Sequence, residues 1–189
     1  MPLTHLRAAG TSLLLDLLED RLPVVRHWGA DLGDLSGEAL TDVTTASRTA
    51  LDGNAQWMAN DLPILPLTSL GWSARPAVAV VREDGSGTSP HLGRVTHEVT
   101  VEEGPAGSVQ VVHSSGTDEA DAITLATEIR LEPGGLVRVR ASVTDERPSS
   151  DAATPFGGHG NLLVTELTPY LPVPDAADEL LDMAGHHVY

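Results

Sequence analysis

The sequence predicts an all-β domain of the sandwich kind, and two patterns support that prediction. Short runs rich in β-branched residues recur through the last two thirds of the chain, and several alternate apolar with polar residues. Clusters of Gly, Pro, Ser and Asp separate these runs at short intervals. Such spacing favours antiparallel sheets packed face to face, each with one face on the core and one in water.

Six strands are predicted between residues 75 and 172. In the second of them Val95, Val99 and Val101 fall on one face, which predicts that this face is buried. His97 lies on the same face, where we expect a core histidine with hydrogen-bonded ring nitrogens. The predicted strands are 77–81, 94–101, 108–113, 122–131, 136–143 and 162–167.

Turns are predicted where Gly, Pro and Ser cluster between the strands. The strongest hairpin signal is Glu132-Pro-Gly-Gly135, because Gly adopts the positive φ that tight reversals require. The predicted turns are 83–87, 103–107, 114–118 and 132–135.

The two ends of the chain have a different character. The first third predicts strands within 3–18, interrupted at Gly10, and over 22–28, followed by a short helix over 36–48. Residues 147–160 are rich in Pro, Gly and Ser, and predict a loop. Prolines keep the start of the tail extended, after which an Ala/Leu-rich segment resembles one or two helical turns. We therefore expect a sandwich domain over 1–174 and, over 175–189, the truncated start of a linker helix toward another domain.

Composition excludes several classes of function. The formal net charge of -16 argues against nucleic acid and anionic membranes as partners, because phosphate binding requires clustered cations. The chain has no Cys, which excludes disulfides and thiolate metal sites. No stretch approaches the roughly 20 apolar residues of a membrane span, and no signal peptide is evident, so we expect a cytoplasmic protein.

No catalytic residue, metal site or cofactor is predicted. The histidines lack the i, i+4 spacing of a zinc-binding helix, and the carboxylates crowd at turns, where water screens them. A nucleophile elbow, a phosphate-binding loop and a dinucleotide fingerprint are all missing. Two tryptophans next to a glycine, Trp28 and Trp72, remain as candidates for a binding site. The indole ring of such a tryptophan either stacks on a sugar or covers a core. We expect Trp28 to cover the core.

Three motifs in order resemble the N-terminal domain of bacterial α-galactosidases of glycoside hydrolase family thirty-six. They are His-Trp-Gly-x-Asp-Leu-Gly at His27–Gly33, Leu-Pro followed after four residues by Gly-Trp-x-x-Arg-Pro-Ala at Leu65–Ala77, and the tail string at Leu171–Gly185. The resemblance implies a β-supersandwich of the galactose mutarotase-like kind, followed in such enzymes by a (β/α)8 barrel with both catalytic aspartates. This sequence does not contain that barrel, so no catalytic residue is carried over.

The resemblance also implies that the turn at Trp72 approaches the mouth of an active site, sometimes that of a neighbouring subunit in a homo-oligomer. Family members often have acidic residues in this turn, whereas 67–74 has none, which leaves Trp72 as the one candidate galactoside contact. Two alternatives remain open. One is a free-standing carbohydrate-binding module with Trp28, Trp57 or Trp72 as a sugar platform. The other is a mutarotase-type epimerase, which needs a His and a Glu converging on a sugar.

Overall fold

The computed structural model of the chain describes residues 3–48, 61–82, 87–147 and 161–173, with residues 177 and 179. These residues form an all-β fold with one short helix, as predicted. The strands are β1 Leu3–Ala8, β2 Thr11–Asp16, β3 Val24–Ala30, β4 Val78–Arg82, β5 Gly87–Thr88, β6 Val95–Gly104, β7 Gly107–Asp118, β8 Ile123–Leu131, β9 Val137–Asp145 and β10 Leu162–Leu167, and the helix is α1 Gly37–Ala46.

The described strands pair into three antiparallel sheets. The first sheet has the order β1-β2-β3, the second β10-β4-β5 and the third β6-β7-β8-β9. All six strands predicted after residue 75 are present, and β10 has the predicted bounds. Arg82, buried at the end of β4, donates to the Asp145 carboxylate of β9 at 3.0 Å and so joins the second sheet to the third.

One hydrophobic core lies between the sheets. In β8 every second side chain is buried, as a strand packed on one face requires. In β2, by contrast, Leu13, Leu14 and Leu15 are all fully buried, because this central strand of the first sheet is covered on both faces. Burying each such side chain stabilises the fold by about 1.5–3 kcal/mol. Residues of the core are Leu6, Leu13, Leu15, Leu17, Leu22, Ile64, Leu65, Leu67, Ala77, Val78, Val80, Leu92, Val95, Val112, Ile123, Leu125, Ile129 and Leu131.

The helix prediction is confirmed within two residues at each end. The Ser36 hydroxyl caps the first turn by accepting the Ala39 N–H at 3.2 Å. The threonines that make this a poor helix sequence turn their hydroxyls onto the backbone four residues earlier, for example Thr44 Oγ1 to Leu40 O at 2.8 Å.

The hairpin prediction at 132–135 is also confirmed. Glu132 N–H donates to Leu136 O at 2.9 Å, and Gly135 has a φ of 82°. A side chain at Gly135 would also meet Thr11 of the first sheet at 2.7 Å, so glycine serves both the turn and the close approach of two sheets.

The turn predicted at 114–118 is wrong, because β7 continues through it to Asp118. Gly116 lies directly opposite Val95, and a Cβ on it would come within 2.8 Å of the Val95 side chain. Glycine here permits close packing rather than a reversal of the chain. The actual reversal follows at 119–122, where the Asp118 carboxylate accepts the N–H groups of Ala120 and Asp121 at 2.9 and 3.1 Å.

The prediction of a buried face on β6 holds for only part of the strand. Val95 is buried, but 47% of Val99 and 60% of Val101 are exposed. His97 is hydrogen-bonded, as expected. Its Nε2–H donates to Leu18 O and its Nδ1 accepts from Ser114 Oγ, both at 2.8 Å.

Several predictions lie outside the described residues: most of the turn at 83–87, nearly all of the loop at 147–160, Trp57, and the linker helix over 175–189. In the part of the chain that is described, no helix is long and apolar enough to cross a membrane.

Candidate functional site

Trp72 is presented by a short, glycine-terminated turn. Residues Thr68–Leu70 form one turn of 3-10 helix, which ends at Gly71 in the left-handed region with a φ of 84°. A side chain at that position would be strained, so the Gly-Trp pair of the motif has a backbone reason.

The indole ring of Trp72 is half-buried and held in place by its neighbours. Its Nε1–H donates to the Arg75 carbonyl oxygen at 2.7 Å, and its ring meets Tyr170 edge to face with centroids 6.5 Å apart. The Tyr170 hydroxyl donates to the same carbonyl at 3.3 Å. One backbone oxygen therefore orients both aromatic rings.

The Arg75 side chain forms an ion pair with Glu166 of β10. Glu166 also accepts the Thr168 hydroxyl. These two interactions, the hydroxyl first and then the guanidinium, lower the pKa of Glu166 below its ordinary value. The Glu166 carboxylate is therefore ionised, and it already binds Arg75 and Thr168.

An apolar groove opens beside this aromatic pair, and we call it the Trp72 groove. Its floor is the extended segment 62–66, which lies between β3 and the tail: Ile64 N–H donates to Pro23 O, and Tyr170 N–H donates to Ile64 O, both at 2.8 Å. The groove is lined by Val24, Val25, Arg26, Ser47, Leu62, Pro63, Ile64, Pro66, Trp72, Tyr170, Leu171 and Pro172.

Large apolar groups at the groove remain in contact with water. Leu62 is 38% exposed and Tyr170 36%. Val173, which follows the groove residue Pro172 and lines a neighbouring groove, is 62% exposed. A contiguous apolar surface of this kind is typical of a binding or docking site.

A buried ion cluster, which we call the Arg26 cluster, lies at one border of the groove. The pairing of β2 with β3 skips Arg26, since Leu14 faces His27 and Leu15 faces Val25. This bulge turns the Arg26 side chain inward, where only 3% of it is exposed.

The Arg26 guanidinium bridges two carboxylates. It donates to Asp16, whose side chain is fully buried, at 2.9 Å and to Asp61 at 2.5 Å. Arg48 approaches both acids at 3.9 and 3.8 Å. The hydrogen bond from Arg26 is the main cause that lowers the pKa of Asp61. A glycosidase general acid needs a raised pKa, so Asp61 has the electrostatics of a member of a structural ion cluster.

The aspartate of the His27–Gly33 motif is also fully engaged. Asp31 accepts Arg7 Nε at 2.6 Å, Ser12 Oγ at 2.9 Å and Gly33 N–H at 3.1 Å. These bonds, that from Arg7 foremost, lower the pKa of Asp31 well below its ordinary range. The motif therefore ties the loop after β3 to the first sheet.

His5, Ser12 and Asp31 lie in line, but they do not form a nucleophile with its base. The Ser12 hydroxyl gives its proton to Asp31, so His5 Nε2, 2.8 Å away, must donate to Ser12. Burial is the main cause that lowers the pKa of His5, which agrees with a neutral donor. Ser12 is also fully buried, so its hydroxyl acts as a structural link.

A profile of the family described as "Glycosyl hydrolase family 36 N-terminal domain" matches residues 21–189. The chain belongs to this family. The recognition from three motifs is therefore confirmed. A search of curated proteins found no match.

Solved structures of family 36 α-galactosidases share the fold of this domain. AgaA from Geobacillus stearothermophilus superposes with a TM-score of 0.55 at 14% identity, over 76% of this chain and 22% of that one. AgaB from the same organism gives 0.50 at 16% identity, over 77% and 22%. The α-galactosidase from Lactobacillus brevis gives 0.51 at 14% identity, over 75% and 21%. The chain thus spans about a fifth of the length of these enzymes.

In this family 36 domain, Trp28 packs half-buried against the core, as expected. A second groove runs along β3 past Trp28 to Val173. Both grooves are lined by residues of β3 and of the tail.

The structure brings together one His–Glu pair that sequence reasoning missed. His113 Nδ1 lies 3.7 Å from Glu128 Oε2, because the two residues are direct partners on β7 and β8. The pair lies on an open sheet face with Arg130, which also binds Glu102 at 2.6 Å. This pair could have been predicted only from the register of β7 with β8. The turn wrongly predicted at 114–118 ended β7 too early to give that register. Among the described residues, no group of His, Asp and Glu could hold a metal ion.

Proposed function

We propose that this chain is the non-catalytic N-terminal domain of an α-galactosidase, and that its Trp72 groove docks the catalytic (β/α)8 barrel. The single observation that carries the proposal is an exposed, aromatic-lined apolar groove at the point where the tail runs out along the domain. Acids bordering the same region are paired with arginines, which suits a scaffold.

The division of the chain follows from the same proposal. Residues 1–174 form the sandwich domain, and residues 175–189 begin the linker that carries the chain toward the barrel. The related α-galactosidases have about four fifths of their length outside the part that matches this chain, which leaves ample room for a barrel.

The substrate class of the complete enzyme is α-galactosides, cleaved in the barrel. AgaA variants have been solved in complex with raffinose and with stachyose, which supports this class for a relative of the same fold. Within this domain Trp72 is the candidate galactoside contact, because its ring lines the groove together with that of Tyr170. A cytoplasmic location and oligomer contacts complete the proposal.

A hydrolysis assay tests the proposal. An aryl α-galactoside is offered to this 189-residue chain and, separately, to a longer polypeptide in which the barrel follows residue 189. We expect turnover by the longer polypeptide alone. Turnover by the chain itself would refute the scaffold role.

A calorimetric titration separates the main alternative. A free-standing carbohydrate-binding module would bind galactose or raffinose through an exposed tryptophan, and Trp72→Ala would abolish that binding. A scaffold should show no measurable heat of binding with either sugar.

A further inference from the structure

The edge strand β6 presents a long, regular pairing surface. It is the outer strand of the third sheet, and its ten residues pair with β7 from Val95 to Gly104 without a register shift. Edge strands are usually protected by Lys, Pro or a bulge, since an open edge can pair with another chain. The chain has no Lys, and β6 has neither a Pro nor a bulge.

The inner face of β6 extends beyond the cover of the first sheet. Gln110 of β7 clasps the backbone of β1 at Arg7, with its Nε2 donating to Arg7 O at 2.7 Å and its Oε1 accepting the Arg7 N–H at 3.4 Å. Val101 is the direct partner of Gln110 on the outer side, so it lies beyond this contact.

Val99, like Val101, lies beyond the cover of the first sheet. It continues a cross-strand row with Val112 and Ile129, both of which are fully buried. Val99 itself is 47% exposed and Val101 60%. In the described residues, the apolar row therefore ends in water at the edge of the sheet.

We propose that β6 is the interface with a second copy of this chain, in which two β6 strands pair antiparallel about a two-fold axis at Val99. The sequence of β6 is self-complementary in this register. The facing pairs are Val99 with Val99, His97 with Val101, Glu98 with Thr100, and Thr96 with Glu102. The pairing ends there, because the Val95 N–H already donates to Glu19 O at 2.7 Å.

Charge selects this register over its neighbours. An axis one residue earlier places Glu98 opposite its own copy, and an axis one residue later places Glu98 opposite Glu102. Like charges directly opposite each other destabilise a sheet, whereas the register at Val99 places Glu98 and Glu102 opposite threonines. A two-fold axis is also the commonest symmetry of soluble oligomers. The interface shares no residue with the Trp72 groove, so it goes beyond the docking proposal and can fail independently of it.

Single cysteines test the register, because the chain has no Cys of its own. In a Val99→Cys variant the two introduced thiols would face each other, with Cα atoms about 4.5–5.5 Å apart, within the range of a disulfide. In a Val101→Cys variant the two thiols would be offset by four residues, or about 13 Å. Val101 is the more exposed of the two, so random collision would favour the second variant.

We expect oxidised Val99→Cys to form a covalent dimer at least about tenfold faster than Val101→Cys. A mixture of His97→Cys with Val101→Cys should give a heterodimer, which also covers the case that one variant folds poorly. Circular dichroism checks that each variant is folded. Equal or faster cross-linking of Val101→Cys would overturn the proposal, as would a monomeric unmodified chain in sedimentation equilibrium. Protection of the thiol at position 99 by another part of a longer, monomeric polypeptide would overturn it as well.

Discussion

The Arg26 cluster and the Trp72 groove border the same extended segment, and they reverse the usual distribution of residues. In the cluster, charged side chains are inside, with Arg26 3% and Asp16 0% exposed. In the groove, apolar side chains are outside, with Leu62 and Tyr170 more than a third exposed. The charges have partners within this chain, whereas these apolar groups are exposed in the part of the chain that the structure describes.

The difference teaches where each region finds its stability. A buried ion cluster holds together only when every member is present, because a lone buried charge is very costly. An exposed apolar groove contributes most when another surface covers it and removes it from water. We therefore expect substitutions in the Arg26 cluster to destabilise the isolated chain. Substitutions in the Trp72 groove should have an additional effect in the longer polypeptide.

The largest expected effect comes from Arg26→Met, which removes the guanidinium that hydrogen-bonds both Asp16 and Asp61 and leaves only the longer approach of Arg48. We expect the free energy of unfolding to fall by about 3–5 kcal/mol, measured by urea denaturation of the isolated chain. Arg21→Met is the matched control, because Arg21 pairs with the exposed Asp20 and its loss should cost at most about 1 kcal/mol. Equal losses would show that Arg26 adds no more than a surface ion pair.

Lowering the pH should also destabilise the Arg26 cluster, but by less than the Arg26→Met substitution. The pKa of Asp61 is lowered in the fold, mainly by its hydrogen bond from Arg26, relative to an ordinary value of 3.8. A lowered folded pKa contributes stability above the unfolded pKa, and that contribution is lost as the pH falls through the folded pKa. We therefore expect the free energy of unfolding to decline below about pH 4.

The Arg26→Met variant isolates the contribution of Asp61 to this decline. Without the guanidinium the carboxyl loses the main cause of its lowered pKa, so the variant should decline less steeply below about pH 4 than the unaltered chain. Parallel urea titrations at several pH values measure both slopes. Identical slopes would mean that Arg26 does not set the ionisation of Asp61.

Trp72→Ala should have the smallest effect on the isolated chain. We expect a loss of about 1–2 kcal/mol, because the ring is only half-buried. In the longer polypeptide the same change should lower the unfolding midpoint further, since it also removes a docking contact. Leu163→Ala, at a 57% exposed site on β10 outside the groove, is the control and should act equally in both chains.

The sequence predicted the strands better than the surfaces they form. Runs of β-branched residues located β8, β9 and β10, with alternation in β9, and the Pro-Gly-Gly turn located the hairpin between β8 and β9, because these signals are local. Gly116 misled the prediction, since its reason is a contact with Val95 on a neighbouring strand. The burial of Val99 was wrong for the same kind of reason: alternation identifies a face but not how far the opposite sheet covers it.

The candidate site was predictable in part. The Gly71-Trp72 pair was identified from the sequence, and its backbone reason is local. The Arg26 cluster was missed, because it depends on a bulge in β3 and on Asp61, which lies 35 residues farther along the chain. The edge-to-face contact of Trp72 with Tyr170 likewise joins residues far apart in sequence.

Amide hydrogen exchange tests most directly whether the Trp72 groove is a docking surface. Ile64 and Tyr170 carry the backbone bonds at its floor, and amides of β8 in the core provide the internal reference. We expect the exchange of Ile64 and Tyr170 to slow by at least about tenfold in a polypeptide that includes the barrel, while β8 is unchanged. Exchange at the same rate with and without the barrel would contradict the account.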